Sequence, residues 1–148
     1  MSEPRRARRR SLHLTDELLR AYSRRGNFHS DPETARRAGL PGGIAQGMQV
    51  AGPAYGLLLD EWGDDFLARG ELELRFVGMV LAGQTVTAEV TPGVAAGESD
   101  QSTEAGQRGD TADVAVADHA TIEVRVEPDG TPVVVGTARR LADQAENH

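Results

Sequence analysis

YSRRGNFHSDPETARRAGLPGGIAQGMQVAGPAYGLLL, residues 22–59, is the stretch that decides how this chain folds. Its second half is almost wholly apolar, and from about Gly47 to Leu59 the apolar residues do not keep to one face. Met48, Val50, Ala51, Ala54, Leu57, Leu58 and Leu59 go round the helix, and a helix apolar all round is a buried one. Gly47, Ala51, Gly52, Ala54 and Gly56 keep it thin, so a sheet can wrap closely. Pro53 costs about 3 kcal/mol in a helix interior, so a late start or a kink is expected there. Ahead of this helix, Pro41-Gly42-Gly43 turns the chain. Before the turn comes a short helix over 34–38, opened either by Asp31 as N-cap before Pro32 or by a Ser30/Glu33 capping box. His29 stands just before it. A helix N-terminus carries unpaired N–H groups and about half a positive charge. A base beside such a site suits a carbonyl compound whose oxygen becomes negative during reaction.

Towards the N-terminus, Leu12 and Leu14 alternate with Ser11 and His13 as a short strand. Thr15 is the expected N-cap of a first helix, with Asp16 and Glu17 in its first turn and Gly26-Asn27 at its end. Beyond the apolar helix, residues 60–70 form a polar exit anchored by Trp62 and Phe66. Leu72, Leu74 and Phe76 alternate with polar residues, as do Val86, Ala88 and Val90. Those two runs, with the Ala82-Gly83-Gln84 turn between them, predict a hairpin. Ile122, Val124 and Val126, the turn Pro128-Asp129-Gly130-Thr131, and Val133, Val135 and Thr137 predict a second one. The expected class is α+β, an antiparallel sheet wrapped round one long buried helix.

At 148 residues the chain is read as one domain over 11–141, with a basic tail over 1–10, a mobile loop over 94–113 and a polar tail over 142–148. It has no cysteine, so it carries no disulfide or thiolate metal site and suits a reducing cytoplasm. His13, His29, His119 and His148 show no ligand spacing, so no metal is expected. Residues 1–40 carry a charge of +5 and residues 41–148 a charge of −12, giving −7 in all. Every basic residue is arginine, which points to a GC-rich bacterial genome. The run Arg5, Arg6, Arg8, Arg9, Arg10 reads as a solvated terminus rather than a nucleic-acid contact. It lacks the following apolar core of an export signal, and no run approaches the ~18 apolar residues of a membrane helix.

Several pieces then resemble, in order and at suitable spacing, the MaoC-like dehydratases, or (R)-specific enoyl-CoA hydratases, of the hot-dog fold. They are Tyr22-Ser23, Asn27-Phe28-His29-Ser30-Asp31-Pro32, Ala35 with Gly39, Ile44-Ala45-Gln46-Gly47-Met48, Leu74-Arg75-Phe76, Ala82-Gly83-Gln84-Thr85 and Asp129-Gly130 with Gly136-Thr137-Ala138. The resemblance covers roughly residues 12–141. It implies an acyl thioester substrate on coenzyme A or an acyl carrier protein, water addition or removal at the α,β position, no cofactor, and at least a dimer. That dimer is a homodimer or a heterodimer with a catalytic hot-dog partner.

The family's motif is an aspartate, one residue, then Asn-Pro-Ile/Leu-His, with Asp and His together holding the water. His29 matches the histidine, and Asn27 matches the asparagine if the proline is deleted. The aspartate position falls on Arg25, or on Arg24 without the gap, so an arginine replaces an acid. Gln46 stands where the family often has histidine. The resemblance gives His29 the role of general base and acid, and Gly47 N–H that of oxyanion donor. Asn27 and Gln46 are expected to position water or substrate, Met48 to lie against the substrate, and Arg24 or Arg25 to grip an anionic group. A different hot-dog enzyme, thioesterase or isomerase, would keep the oxyanion donor with another base. A non-catalytic subunit would leave the chemistry to a partner.

Overall fold

The apolar run forms a single helix, and a five-stranded antiparallel sheet packs along it. The computed structural model describes residues 6–93 and 117–143. The elements are β1 (Arg8–His13), α1 (Asp16–Tyr22), α2 (Pro32–Arg37), α3 (Gly47–Trp62), α4 (Asp64–Arg69), β2 (Gly70–Phe76), β3 (Thr85–Pro92), β4 (His119–Glu127) and β5 (Thr131–Arg140). The strand order is β1-β3-β4-β5-β2. This is the α+β, hot-dog arrangement of one sheet around one long helix.

Strand periodicity sets the inner face. Val86, Ala88 and Val90 of β3 and Ala120, Ile122, Val124 and Val126 of β4 alternate inwards and are buried. They meet Val50, Ala54, Leu57, Leu58 and Trp62 of α3 in one core. Trp62 and Phe66 are buried anchors, and Trp62 Nε1 donates to Ala117 O at 2.9 Å. The polar exit around them contains a short helix, α4, which the sequence reading left as a connection. Pro53 lies within α3, which begins at Gly47 rather than late. Pro53 is itself buried, so core packing offsets its missing donor. The helix is not enclosed all round. Met48, Gly52 and Leu59 share an exposed stripe.

Both caps behave as their residue types demand. Thr15 accepts from Leu18 N, and Asp31 accepts from Glu33 N with Pro32 in the first turn. Asp31, not a Ser30/Glu33 box, therefore opens α2. Ser30 Oγ instead donates to Arg24 O at 2.5 Å.

Two expectations are corrected. β2 and β3 do not form a hairpin, since β2 pairs with β5 at one edge while β3 lies between β1 and β4. Residues 77–84 connect them, and eight residues can reach about 26 Å. That is ample for the three strand spacings of about 4.8 Å between β2 and β3. The connection is tied down on the way, by Val77 N to Val133 O, Ala45 N to Val80 O and Gly83 N to Leu14 O.

The basic tail is also shorter than expected, because β1 starts at Arg8 and pairs with β3 from Arg8 opposite Val90. Its arginines are balanced by distant acids. Arg8 meets Glu61 at 3.4 Å, Arg10 meets Asp60 at 2.7 Å, and Arg9 pairs with Glu89. Asp60 and Glu61 are thus partners of β1 rather than a purely solvated exit. The hairpin of β4 and β5 is as expected, with Gly130 at φ 75° in its turn. The loop expected over 94–113 lies outside the described residues. Among the described residues no helix is long and apolar enough to cross a membrane.

Candidate active site

His29 is held by a turn that closes on itself. α1 ends at Ser23, and Asn27 folds its side chain back over the backbone that follows. Asn27 Oδ1 accepts from His29 N at 2.9 Å and from Ser30 N at 3.1 Å. An Asx side chain that caps its own downstream N–H groups locks such a turn. Phe28 O accepts from Ile44 N at 3.2 Å, which fastens this turn to the segment leading into α3. The ring of Phe28 lies against that of His29 with centroids 4.1 Å apart.

The imidazole has one further contact that fixes its chemistry. His29 Nδ1 is 2.6 Å from Ile44 O. A carbonyl oxygen only accepts, so in the neutral ring Nδ1 carries the hydrogen and Nε2 keeps its lone pair. The Nδ1–H···O=C bond also orients the ring. The nitrogen left able to accept a hydrogen bond is therefore Nε2.

α3 begins beside it. Gln46 is the N-cap by position, with no side-chain bond to the helix. Among the described residues Gly47 N–H has no acceptor, as the first donors of a helix lack intrahelical ones. The space at Gly47 is filled from the sheet, because a Cβ there would stand 2.7 Å from Phe76 Cε1. With the ring where it stands, a side chain at position 47 has no room.

A cavity of about 700 Å³ joins these pieces. His29, Gln46, Gly47 and Met48 line it together with Phe76 and Met79. The outer rim is apolar and open, with Phe76 49% and Met79 56% exposed. Apolar walls, a ring nitrogen base and a helix N-terminus suit a substrate with a greasy chain and one carbonyl that gains negative charge.

The other sequence candidates lie elsewhere. Asn27 does not line the cavity, because its amide is spent on the turn that carries His29. Arg24 and Arg25 are exposed and do not line it either. Arg25 borders a separate depression with Arg20 and Asp31. No aspartate or glutamate among the described residues lines the cavity. Asp31 does not substitute for one. The Thr34 hydroxyl and then the Glu33 N–H hold its carboxyl below the usual carboxylate range, as befits a helix cap.

Sequence reasoning missed Phe76 and Met79, which reach the site from β2 and the connection after it. It also gave no role to Ser23, whose hydroxyl accepts from Gln46 Nε2 at 2.9 Å. The alternation in Leu72, Leu74 and Phe76 marked Phe76 as inward-facing, yet nothing local marked it as a neighbour of Gly47.

Residues 4–116 match a protein family described as the MaoC like domain. No curated protein sequence matches significantly. Among solved structures, an (R)-hydratase from A. caviae involved in PHA biosynthesis is similar at 21% identity and a TM-score of 0.63, over 95% of this chain and 98% of that one. R-hydratase PhaJ1 from Pseudomonas aeruginosa is similar at 16% identity and a TM-score of 0.62, over 96% of this chain and 89% of that one. The ChsH1-ChsH2 complex from Mycobacterium tuberculosis is similar at 13% identity and a TM-score of 0.60, over 95% of this chain and 100% of the matched one. At these identities the likeness is one of fold.

Proposed function

This chain belongs to the MaoC-like domain family, and on that premise we propose that it adds water to, or removes it from, the α,β position of an acyl thioester. Two of its structural neighbours are named as hydratases. The observation that carries the reading is the Nδ1–H bond from His29 to Ile44 O, which leaves Nε2 as a base in the same cavity as the N-terminus of α3.

In the hydration direction, the oxygen of water forms a bond to Cβ and its proton passes to His29 Nε2. The π pair moves towards the thioester carbonyl, whose oxygen becomes an enolate. Gly47 N–H and the positive end of α3 stabilise that oxygen. The imidazolium then returns the proton to Cα, which completes the addition of one water. Dehydration runs the same steps backwards. General acid–base help of this kind contributes typically about 10²–10⁴-fold, and one oxyanion donor about 2.7–4 kcal/mol of barrier. Asn27 acts by holding His29. Met48, Phe76 and Met79 shelter the acyl chain. Arg24 and Arg25, on the outer surface, are suited to an anionic carrier such as coenzyme A or an acyl carrier protein rather than to the reacting carbonyl.

The reading includes self-association. β2 is an edge strand, and Phe76 at its end and Val77 and Met79 just after it are exposed, as are Met48 and Leu59 on the outer stripe of α3. A second copy, or a hot-dog partner of different sequence, would cover this apolar surface. A cytoplasmic setting suits a cysteine-free chain.

That no described carboxylate lines the cavity favours a second reading, a subunit that supports a catalytic partner. One similar structure is itself a complex of two named proteins. Mass spectrometry of crotonyl and longer enoyl thioesters with purified protein tests the first reading. A product heavier by one water supports it. Release of free acid would make the chain a thioesterase, and no product at all would favour the supporting subunit.

A further inference from the structure

The cavity holds a second polar group whose orientation can be worked out from the backbone. The two backbone N–H groups of His29 and Ser30 donate to one atom of the Asn27 amide, so that atom is the oxygen Oδ1. Asn27 Nδ2 is then the donor that lies 3.1 Å from Ser23 Oγ. Ser23 Oγ also lies 3.2 Å from Asn27 Oδ1 and 2.9 Å from the Gln46 amide. A hydroxyl has one hydrogen and two lone pairs. Both amide atoms of Asn27 lie in one direction from Oγ, so only one of those two contacts is made at a time; with the hydrogen directed to Asn27 Oδ1, a lone pair is left to receive Gln46 Nε2–H. Gln46 Nε2 is thereby committed to Ser23, and Gln46 lines the cavity with an Oε1 that receives no hydrogen bond among the described residues.

We propose that Gln46 Oε1, oriented by Ser23, is the second acceptor for the reacting water, in the place of a carboxylate, which the described cavity lining lacks. The proposal rests on the hydratase reading above. Among the described residues neither His29 Nε2 nor Gln46 Oε1 receives a hydrogen bond, and a water has two hydrogens to give. Held by both, it keeps its lone pairs free for Cβ. The hydrogen facing His29 is transferred to Nε2. The hydrogen facing Gln46 stays on oxygen and becomes the product hydroxyl, since an amide cannot take a proton. Ser23 is a positioning residue, acting only through Gln46.

The test uses steady-state kinetics on the full-length protein with a crotonyl thioester. Gln46→Met keeps the length and removes the acceptor, and is expected to lower kcat roughly 10- to 100-fold with KM little changed. Gln46→Glu keeps an acceptor and is expected to stay within about tenfold of wild type. Ser23→Ala frees the amide and is expected to lower kcat, with recovery in Ser23→Thr. Wild-type kcat in Gln46→Met, or equal loss in Gln46→Glu and Gln46→Met, overturns the proposal. If His29→Ala is inactive while Gln46→Met is not, this inference alone fails. If wild type gives no hydration, the reading beneath it fails. The orientation is also read without substrate, from exchange of the Gln46 side-chain amide hydrogens by NMR. Faster exchange in Ser23→Ala than in wild type supports the assignment, and equal rates overturn it.

Discussion

Adding one methyl group at Gly47 separates the site from the fold. In Gly47→Ala the new Cβ would stand 2.7 Å from Phe76 Cε1 and 2.8 Å from Cδ1. Carbon atoms are comfortable at about 3.5–4.0 Å, so ring and helix must part by about 1 Å. Phe76 is 49% exposed, so its ring has somewhere to go. An off-rotamer turn of such a side chain costs about 0.5–1.5 kcal/mol. Alanine's better helix propensity returns up to about 1 kcal/mol. The net effect on stability is therefore small. Activity is another matter, because the displaced ring is the cavity wall beside the proposed oxyanion donor. A misplacement of about 1 Å can cost roughly 10²-fold in rate. The expected signature is a fall of that order in kcat/KM with a nearly unchanged denaturation midpoint. Repeating the substitution in a Phe76→Ala background removes the clash. There Gly47→Ala should cost about threefold or less, a non-additivity expected of touching groups. Wild-type kcat/KM in Gly47→Ala, or the same loss with and without the Phe76 ring, would refute the steric argument.

Other consequences concern the scaffold. Leu58 is fully buried among α3 and the sheet, so Leu58→Ala should cost about 2–5 kcal/mol by urea denaturation. Asp31 has a carboxyl lowered by Thr34 and Glu33, so it favours folding above its unfolded pKa, near about 4. That contribution is lost as pH falls through the lower folded value, and thermal melts across this range should show it. Asp31→Asn should keep the cap and lose this part of the acid dependence. Arg8→Ala removes one tie between β1 and Glu61 of α3, and hydrogen exchange should show β1 opening more readily than in wild type while β4 is unchanged.

Where a feature was written in neighbouring residues, the sequence disclosed it. The apolar run marked α3, Thr15 and Asp31 marked helix starts, and alternation marked the strands. Pairing was less legible. The runs at 72–76 and 86–90 look like a hairpin because the turn chemistry at Ala82-Gly83-Gln84 is real, with Gln84 Oε1 accepting from Leu81 N. That turn nevertheless ends a crossing from one edge of the sheet to the far side of β4. The arginines of β1 looked like a tail because their partners, Glu61, Glu89 and Asp60, are about 50–80 residues away. The site divides in the same way. Short motifs singled out His29, Gln46, Gly47 and Met48, and the structure brings these four to one cavity. Ser23 and Phe76 matter through contacts that no local pattern records. Arg24 and Arg25 are exposed outside the cavity lining, because alignment with an aspartate says nothing about where a longer side chain goes.

The most direct test of the account compares kcat/KM of wild type and His29→Ala for hydration of an enoyl thioester, with circular dichroism of both. The account predicts a folded variant whose turnover is reduced about 10²–10⁴-fold. A folded His29→Ala protein that hydrates as fast as wild type would contradict it.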